Sequence, residues 1–442
     1  MELITLLLFS LTLGLCVILN LPVLVALVVG YLLFLGYGLL KGHRGSELIR
    51  ASLHSAKDCG TILFVFLLVG AISALWRASG TIATFIELGV SVMNPALFYA
   101  IIFILNTLLS LLIGSSLGTS ATMGVISISL CRVMGLNEVL TAGAVVSGIF
   151  VGDRNSPVST SALLIATVTN TDLFDNLKRM IKTGIVPWLL TLLIYLLLGL
   201  GAEGQVPSNV TAAYRSYFNM SLLTLLPGLI IIGLSLFRIG IKKLLFISIA
   251  FSIGITFILQ DVPLRDILSY TVFGFVTRRP DINATLQGGG VVSMLQACIV
   301  VFISCAYSGL FEVTGLLMAI KTKLEDMGSL ITPYGAMLVT AVVTAAVACN
   351  QTLANILTNN LMDTSVPNDK ERALMIENTT QTISGLIPYN IAVAIPLANM
   401  NMGSESIPYM FFLYLLPVCN FFIWESRRGK DIYKGPASTK SI

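Results

Sequence analysis

The sequence predicts an all-α polytopic membrane protein, built as two inverted-topology repeats with broken or re-entrant helices. Three observations carry that prediction. The 442 residues are 56% hydrophobic and 11% charged, where a soluble domain is roughly a quarter charged. Apolar runs of near-spanning length recur from end to end. Polar interruptions rich in glycine and hydroxyl groups fall in matched places in the two halves. No globular domain has the surface to hide so much apolar side chain, and the run lengths exclude a β-barrel. The net charge of +4 is modest and gives no reason to expect nucleic acid as a partner.

The apolar runs cover 3–19, 22–40, 61–76, 96–113, 183–200, 222–237, 244–259, 289–307, 332–349 and 407–424. Each is close to the ~17–25 residues that cross a bilayer, or a little short of it. The first reads as an uncleaved helix, because it begins Met-Glu and lacks a basic leader and a small-residue cleavage site. The segment 41–58 reads as a basic loop, with Lys41, Arg44, Arg50 and Lys57 and with His43 and His54 solvated. This loop, the tract DNLKRMIK (175–182), Arg238 with Lys242 and Lys243, and the tail ESRRGK (425–430) are expected in the cytoplasm. Trp188 and Trp424 sit at the ends of two such regions, where interfacial indoles belong. Helix 183–200 then runs outward, helix 407–424 runs inward, and loop 201–216 is external. Loop 261–285 is external by parity, although it holds Arg265, Arg278 and Arg279 beside Asp261, Asp266 and Asp281. The seven cysteines are scattered singly and read as small buried hydrophobes, without a disulfide framework.

GAISALWRASGTI (70–82) matches CAYSGLFEVTGLL (305–317) at an offset of 235, pairing Ser73 with Ser308, Leu75 with Leu310 and Gly80 with Gly315. At the same offset GSSL (114–117) falls on CNQT (349–352). VVSGIFVGD (145–153) falls on TISGLIPYN (382–390) at an offset of 237, which aligns Asp153 with Asn390. Each half ends in a helix that the charge rule orients oppositely, the mark of an inverted repeat in secondary transporters. The expected organisation is a helix pair and basic loop (1–58), a first transport repeat (59–201), a connecting loop and linker helices (202–288), a second inverted repeat (289–425) and a cytoplasmic tail (426–442).

The stretch GIFVGDRNSPVST (148–160) places Asp153, Arg154, Asn155 and Ser156 inside an apolar surrounding. A helix over 139–151 is expected to stop at Gly152. Ser156-Pro157 reads as a new helix start, with Ser156 as N-cap and Pro157 at the first helical position. Residues 152–156 would then be unwound, and such backbone persists in a membrane only where it faces a protein cavity. A mid-membrane carboxylate costs ~2.5–3.5 kcal/mol on insertion scales. Asp153, Asn155, Ser156 and the open carbonyls are therefore expected to bind a hard cation such as Na⁺, the alternative being a solvated loop with adjacent Asp153 and Arg154 charges. IGSSLGTSATMG (113–124) adds Ser115, Ser116 and Thr119, CNQTLAN (349–355) adds Asn350 and Gln351, and SGLIPYN (384–390) adds Asn390. Glu377 is either a proton-carrying carboxylate or an exposed residue beside PNDKER (367–372). Arg77 and Glu312 read as interfacial.

SGIFVGDRNSPVSTSALLIATVTNTDLFDNLKRM (147–180) resembles the SG-x-x-x-GD-[KR]-x-SP-[LM]-S signature and following DLF tract of NhaC-type sodium/proton antiporters, in the ion transporter superfamily. IGSSLGTSATMG and ENTTQTISGLIPYN are similar to that family's other polar signatures, and the likeness covers roughly 60–430. The resemblance implies exchange of Na⁺ (or Li⁺) for H⁺ across the cytoplasmic membrane, and no cofactor beyond these coupling ions. It also implies inverted repeats with re-entrant helices and a transport part moving against a scaffold, commonly in a homodimer. Its close relatives couple Na⁺ or H⁺ to small carboxylates. Where that family has Asp-Thr-Thr-Asn, this chain has Thr160, Ser161, Ala162 and Leu163, and a Glu-Asp pair becomes Glu377-Asn378. Two acids fewer would also suit Na⁺- or H⁺-coupled transport of a small carboxylate or amino acid. Arg154, if it faced the cavity, would bind a substrate carboxylate. An enzyme is not expected. G-x-S-x-G occurs at 114–118, but no strand precedes it and both histidines are far away in the basic loop.

Overall fold

The computed structural model describes residues 4–433 except 6, 7, 10, 13, 14, 17, 18, 20, 22, 59, 158, 203, 205–207, 236, 238 and 317–331. The described residues form helices and turns, with one isolated bridge between Phe275 and Gly288. Among the described residues three helices are long and apolar enough to cross a bilayer: Pro95–Ile113, Leu173–Leu200 and Val291–Thr314. Two bent helix pairs pass the same test together, each a broken span or a re-entrant loop. Leu63–Ala78 meets Thr81–Val90 at 67°, and Asp369–Leu386 meets Ile391–Asn399 at 52°. The protein is thus an all-α multi-pass membrane protein with broken helices. The helix Leu173–Leu200 shows how the sequence sorts its faces. Ile185, Leu189, Leu193 and Leu197 are exposed, as a lipid-facing stripe must be, while Gly184, Pro187, Thr191, Tyr195 and Gly199 are buried against protein.

The helix Glu138–Asn155 is the axis of the largest core cluster. It crosses the helix Phe98–Ile113 through Gly148 and Gly152, spaced four apart as close helix contacts in membranes require. A Cβ at Gly148 would stand 2.8 Å from the Phe103 carbonyl oxygen, and one at Gly152 would overlap the backbone of Ser110. Hydrogen bonds lock the crossing: Ser110 Oγ donates to the Ile149 carbonyl and Ser156 Oγ to the Leu111 carbonyl, each at 2.6 Å.

Both halves carry a hairpin whose tip is built the same way. In the first, helix Phe98–Ile113 ends at Gly114 (φ 69°, ψ 24°). Ser115 (φ −146°, ψ 119°) then caps the return helix, its Oγ accepting from the Gly118 N–H at 3.2 Å. The return helix runs from Ser116–Thr119 through a π segment, Ser120–Gly124, into Val125–Val133. In the second, helix Pro333–Ala348 ends at Cys349 (φ 55°, ψ 2°), and Asn350 (φ −149°, ψ 136°) caps Gln351–Met362 by accepting from the Leu353 N–H. Residues 114, 115 and 118 thus correspond to 349, 350 and 353, at the offset of 235 that the sequence gives. The left-handed tip residue is glycine in one half and cysteine in the other, and the left-handed region disfavours a Cβ.

The halves interlock. The helix Thr160–Val168 packs on Gln351–Met362 and Asp369–Asn378 of the second half. Reciprocally, Ile391–Asn399 packs on Ser116–Thr119 and the π segment of the first.

Several expectations are corrected. Most of segment 41–58 is an amphipathic helix, Gly45–Asp58, seated on Leu295–Thr314 where Gly309 leaves no room for a Cβ beside the Ala51 carbonyl. His54 is exposed on that helix and His43 half-buried just before it. Arg77 is not interfacial: it is buried at the bend after Gly60–Ala78 and donates to the Ser73 carbonyl and hydroxyl. Glu312, its partner in the repeat, is exposed. Cys305 is disulfide-bonded, whereas Cys16, Cys131, Cys298, Cys349 and Cys419 are free thiols. In loop 261–285 Arg279 pairs with Asp281 at 2.6 Å, and this bond holds the Asp281 carboxyl below the usual carboxylate range.

Candidate functional site

Asp153 lies in the last turn of helix Glu138–Asn155 and is 4% exposed. The helix does not stop at Gly152. The Gly152 carbonyl accepts the Ser156 N–H at 2.9 Å and the Val151 carbonyl accepts Asn155 Nδ2 at 2.9 Å, so the last turn stays closed through Asn155. The cap of the next helix, Thr160–Val168, is Ser159 rather than Ser156, with Ser159 Oγ accepting from the Ala162 N–H at 3.2 Å. The break between the two helices therefore falls after Asn155, between the caps Ser156 and Ser159. The carbonyls here are not an open cradle, since those of Asp153 and Ser156 accept from the Ser159 hydroxyl and Ser159 N–H.

The Asp153 carboxylate has partners from four elements. Gln381 Nε2 donates to Oδ2 at 3.0 Å. The Ser161 hydroxyl lies 3.4 Å from the same oxygen and 3.4 Å from Gln351 Oε1. The Ser116 backbone N–H and the Gln351 side chain complete its surroundings. Ser116 and Gln351 stand at the tips of the two hairpins, at the starts of their return helices. Helix starts present backbone N–H groups and partial positive charge, which favour an anionic group between them. Behind Gln381 a polar chain continues into the second half. Gln351 Nε2 donates to the Gln381 carbonyl at 2.8 Å, Asn355 Nδ2 to Gln381 Oε1 at 2.9 Å, and Thr380 Oγ1 to Thr358 Oγ1 at 3.1 Å.

Arg154 points elsewhere. It is fully buried and spends its guanidinium on protein acceptors: the carbonyls of Glu377 (3.1 Å) and Met180 (3.0 Å), Asn155 Oδ1 (2.9 Å), Thr183 Oγ1 (3.0 Å) and Asn378 Oδ1. Gly184 leaves the space in which it lies, since a Cβ there would stand 2.9 Å from Nη1. Arg154 is a strut joining three helices, not an arm offered to a substrate carboxylate. Glu377, in the last turn of Asp369–Asn378, is fully buried, and neither carboxyl oxygen has a hydrogen-bond partner among the described residues. The alternative of an exposed Glu377 is thereby overturned.

The remaining predicted residues brace the site. Asn155 and Ser156 tie the helix end to itself and to the Leu111 carbonyl. Ser115 and Asn350 are caps, and Thr119 Oγ1 donates to the Ser115 carbonyl at 2.9 Å. Asn390 caps Ile391–Asn399, accepting from the Ala392 N–H while Nδ2 donates to the Ala345 carbonyl at 2.9 Å. As the cap of the post-break helix its counterpart is Ser159, so the alignment of Asn390 with Asp153 does not hold. Gln381 and Ser161 were not among the expected site residues. Gln381 is one helical turn beyond Glu377 within ENTTQTISG, a polar spacing that would have pointed to it.

The sequence profile of the Na⁺/H⁺ antiporter family matches residues 3–172 and 148–423. The chain is 24% identical over 421 residues to the malate-2H⁺/Na⁺-lactate antiporter of Bacillus subtilis, covering 92% of this chain and 89% of that protein. It is 26% identical over 370 residues to the Na⁺/H⁺ antiporter NhaC of Alkalihalophilus pseudofirmus, covering 80% and 79%. It is 25% identical over 372 residues to the arginine/ornithine antiporter ArcD of Halobacterium salinarum, covering 80% and 76%.

Proposed function

Because the chain belongs to the Na⁺/H⁺ antiporter family, we propose that it is a secondary active transporter exchanging Na⁺ (or Li⁺) for H⁺ across the cytoplasmic membrane, with Asp153 as the shared ion-binding group. The observation that supports this most is the carboxylate itself: buried, held by Gln381, and facing the tips of both hairpins. One carboxylate cannot hold a proton and a cation together, so competition at Asp153 couples the two fluxes in opposite directions. In the cation-bound state Asp153 supplies the charge, while Gln351 Oε1 and the Ser161 hydroxyl supply neutral oxygens of the kind hard cations prefer. In the protonated state the site is neutral and suited to crossing an apolar layer. Glu377 is the second titratable group. Its unpartnered oxygens make the ionised form costly and favour a bound proton. Ser115, Ser116, Thr119, Asn350 and Asn390 shape the two broken regions, and the two halves supply the moving interface.

The test is purified protein in liposomes, with Na⁺ and Li⁺ pulses followed by an internal pH dye. Proton movement on ion addition alone supports exchange, and its absence removes this reading. A second reading, Na⁺- or H⁺-coupled transport of a small carboxylate or amino acid, is favoured by Thr160–Leu163 standing where the resembling family carries an acid. Proton movement that requires malate, lactate or an amino acid would select it.

A further inference from the structure

A cavity stands apart from Asp153. It has a volume of about 620 Å³ and lies between Leu295–Thr314, Ile391–Asn399 and the turn 401–408, with Pro388 in its lining. By the charge asymmetry of the loops, this is the outer end of the protein. Glu405 is the one charged side chain among its described lining residues, and no Lys, Arg or His joins it. Its lining mixes apolar and polar side chains: Val300 and Gln296 one turn apart on Leu295–Thr314, Leu397 and Ala398 on Ile391–Asn399, and Asn401 just beyond that helix. Glu405 is exposed, and the Gly403 N–H donates to its Oε1 at 2.9 Å, leaving the other oxygen without a described partner.

We propose that this cavity is an outward-facing binding site for a small organic ammonium, its charged head on Glu405 and its aliphatic stem against Val300, Leu397 and Ala398. The size is that of pockets for small organic molecules and far exceeds a bare ion's need. A hard inorganic cation requires several converging oxygens, and one carboxylate across a half-apolar cavity supplies no such cage. An ammonium on a short carbon chain matches this mixed lining: a charge-assisted hydrogen bond to Glu405 and apolar burial against Val300, Leu397 and Ala398. A solute carrying only carboxylates meets a like charge and no cation. The inference goes beyond ion exchange at Asp153 and stands whether or not that exchange is found.

The experiment measures binding of n-butylammonium, lysine and n-butyrate to the full chain in lipid nanodiscs by calorimetry, for the natural protein and for Glu405→Gln. The expected result is saturable binding of the two amines, weakening about tenfold or more in Glu405→Gln, and no binding of butyrate. Basal Na⁺-driven proton flux, measured in the same variant, reports that it is folded and remains as in the natural protein. Should Glu405→Gln fail to fold, Ala398→Phe fills part of the cavity and is expected to abolish amine binding. Equal amine binding with and without the Glu405 charge, butyrate binding as strong as that of the amines, or no amine binding to the natural protein would each overturn the proposal.

Discussion

Gln381 Nε2 donates to Asp153 Oδ2 at 3.0 Å, so the buried acid of the first half is held by an amide of the second. The replacement Asp153→Asn keeps an acceptor for that bond and removes the charge. It is expected to leave the protein folded and inserted while abolishing Na⁺-dependent proton flux. Flux at the natural rate in this variant would remove Asp153 from the mechanism. Gln381→Leu, by contrast, leaves the acid without its donor and is expected to shift the Na⁺ dependence about tenfold, read as the half-saturating concentration in the same liposome assay.

Arg154 joins the helices Glu138–Asn155, Leu173–Leu200 and Asp369–Asn378 through its guanidinium. Arg154→Ala is expected to destabilise the protein, because it leaves buried acceptors on three helices unpaired, at about 1–3 kcal/mol each. The check is the melting temperature in detergent. If Arg154 instead served a solute, the variant would melt normally and lose only solute-dependent transport.

Glu377→Gln removes an ionisable group whose oxygens have no partners. A neutral amide is cheaper to bury than an unpaired charge, so the variant is expected to melt no lower than the natural protein. Proton movement per Na⁺ is expected to fall if Glu377 carries part of the proton load. A lower melting point with unaltered flux would assign Glu377 to architecture alone.

Gly152 and Gly36 form an internal contrast. A Cβ at Gly152 meets the Ser110 backbone, whereas one at Gly36 meets nothing within 4 Å. Gly152→Ala is expected to destabilise by about 1–3 kcal/mol, and Gly36→Ala to be neutral or to stabilise by about 0.5–1 kcal/mol. Thermal melts of both variants, measured side by side, test the crossing directly.

The repeat and its broken helices were legible because the apolar runs and the polar tips lie at a fixed offset in the chain. Gly114–Ser115 and Cys349–Asn350 share backbone and cap geometry at the spacing read from the letters. The end of helix Glu138–Asn155 was not legible, since Gly152 is there for a close crossing and not for a turn, and a glycine alone does not distinguish the two. Arg154 was misread for a similar reason. Its acceptors come from residues 180, 183, 377 and 378, and no local pattern shows that they gather around it. Gln381 could have been singled out by its spacing from Glu377, but its bond to Asp153, 228 residues away, exists only once the second half is folded onto the first.

The mutual seating of Thr160–Val168 and Ile391–Asn399 on the opposite half's hairpin has a genealogical corollary. A single half, on its own, would possess a hairpin without a saddle and a saddle without a hairpin. It could complete both only by associating with a copy inserted upside down. An ancestor of half this length would therefore have had to thread the bilayer in both senses, and fusion of two such genes would have frozen one arrangement of the pair.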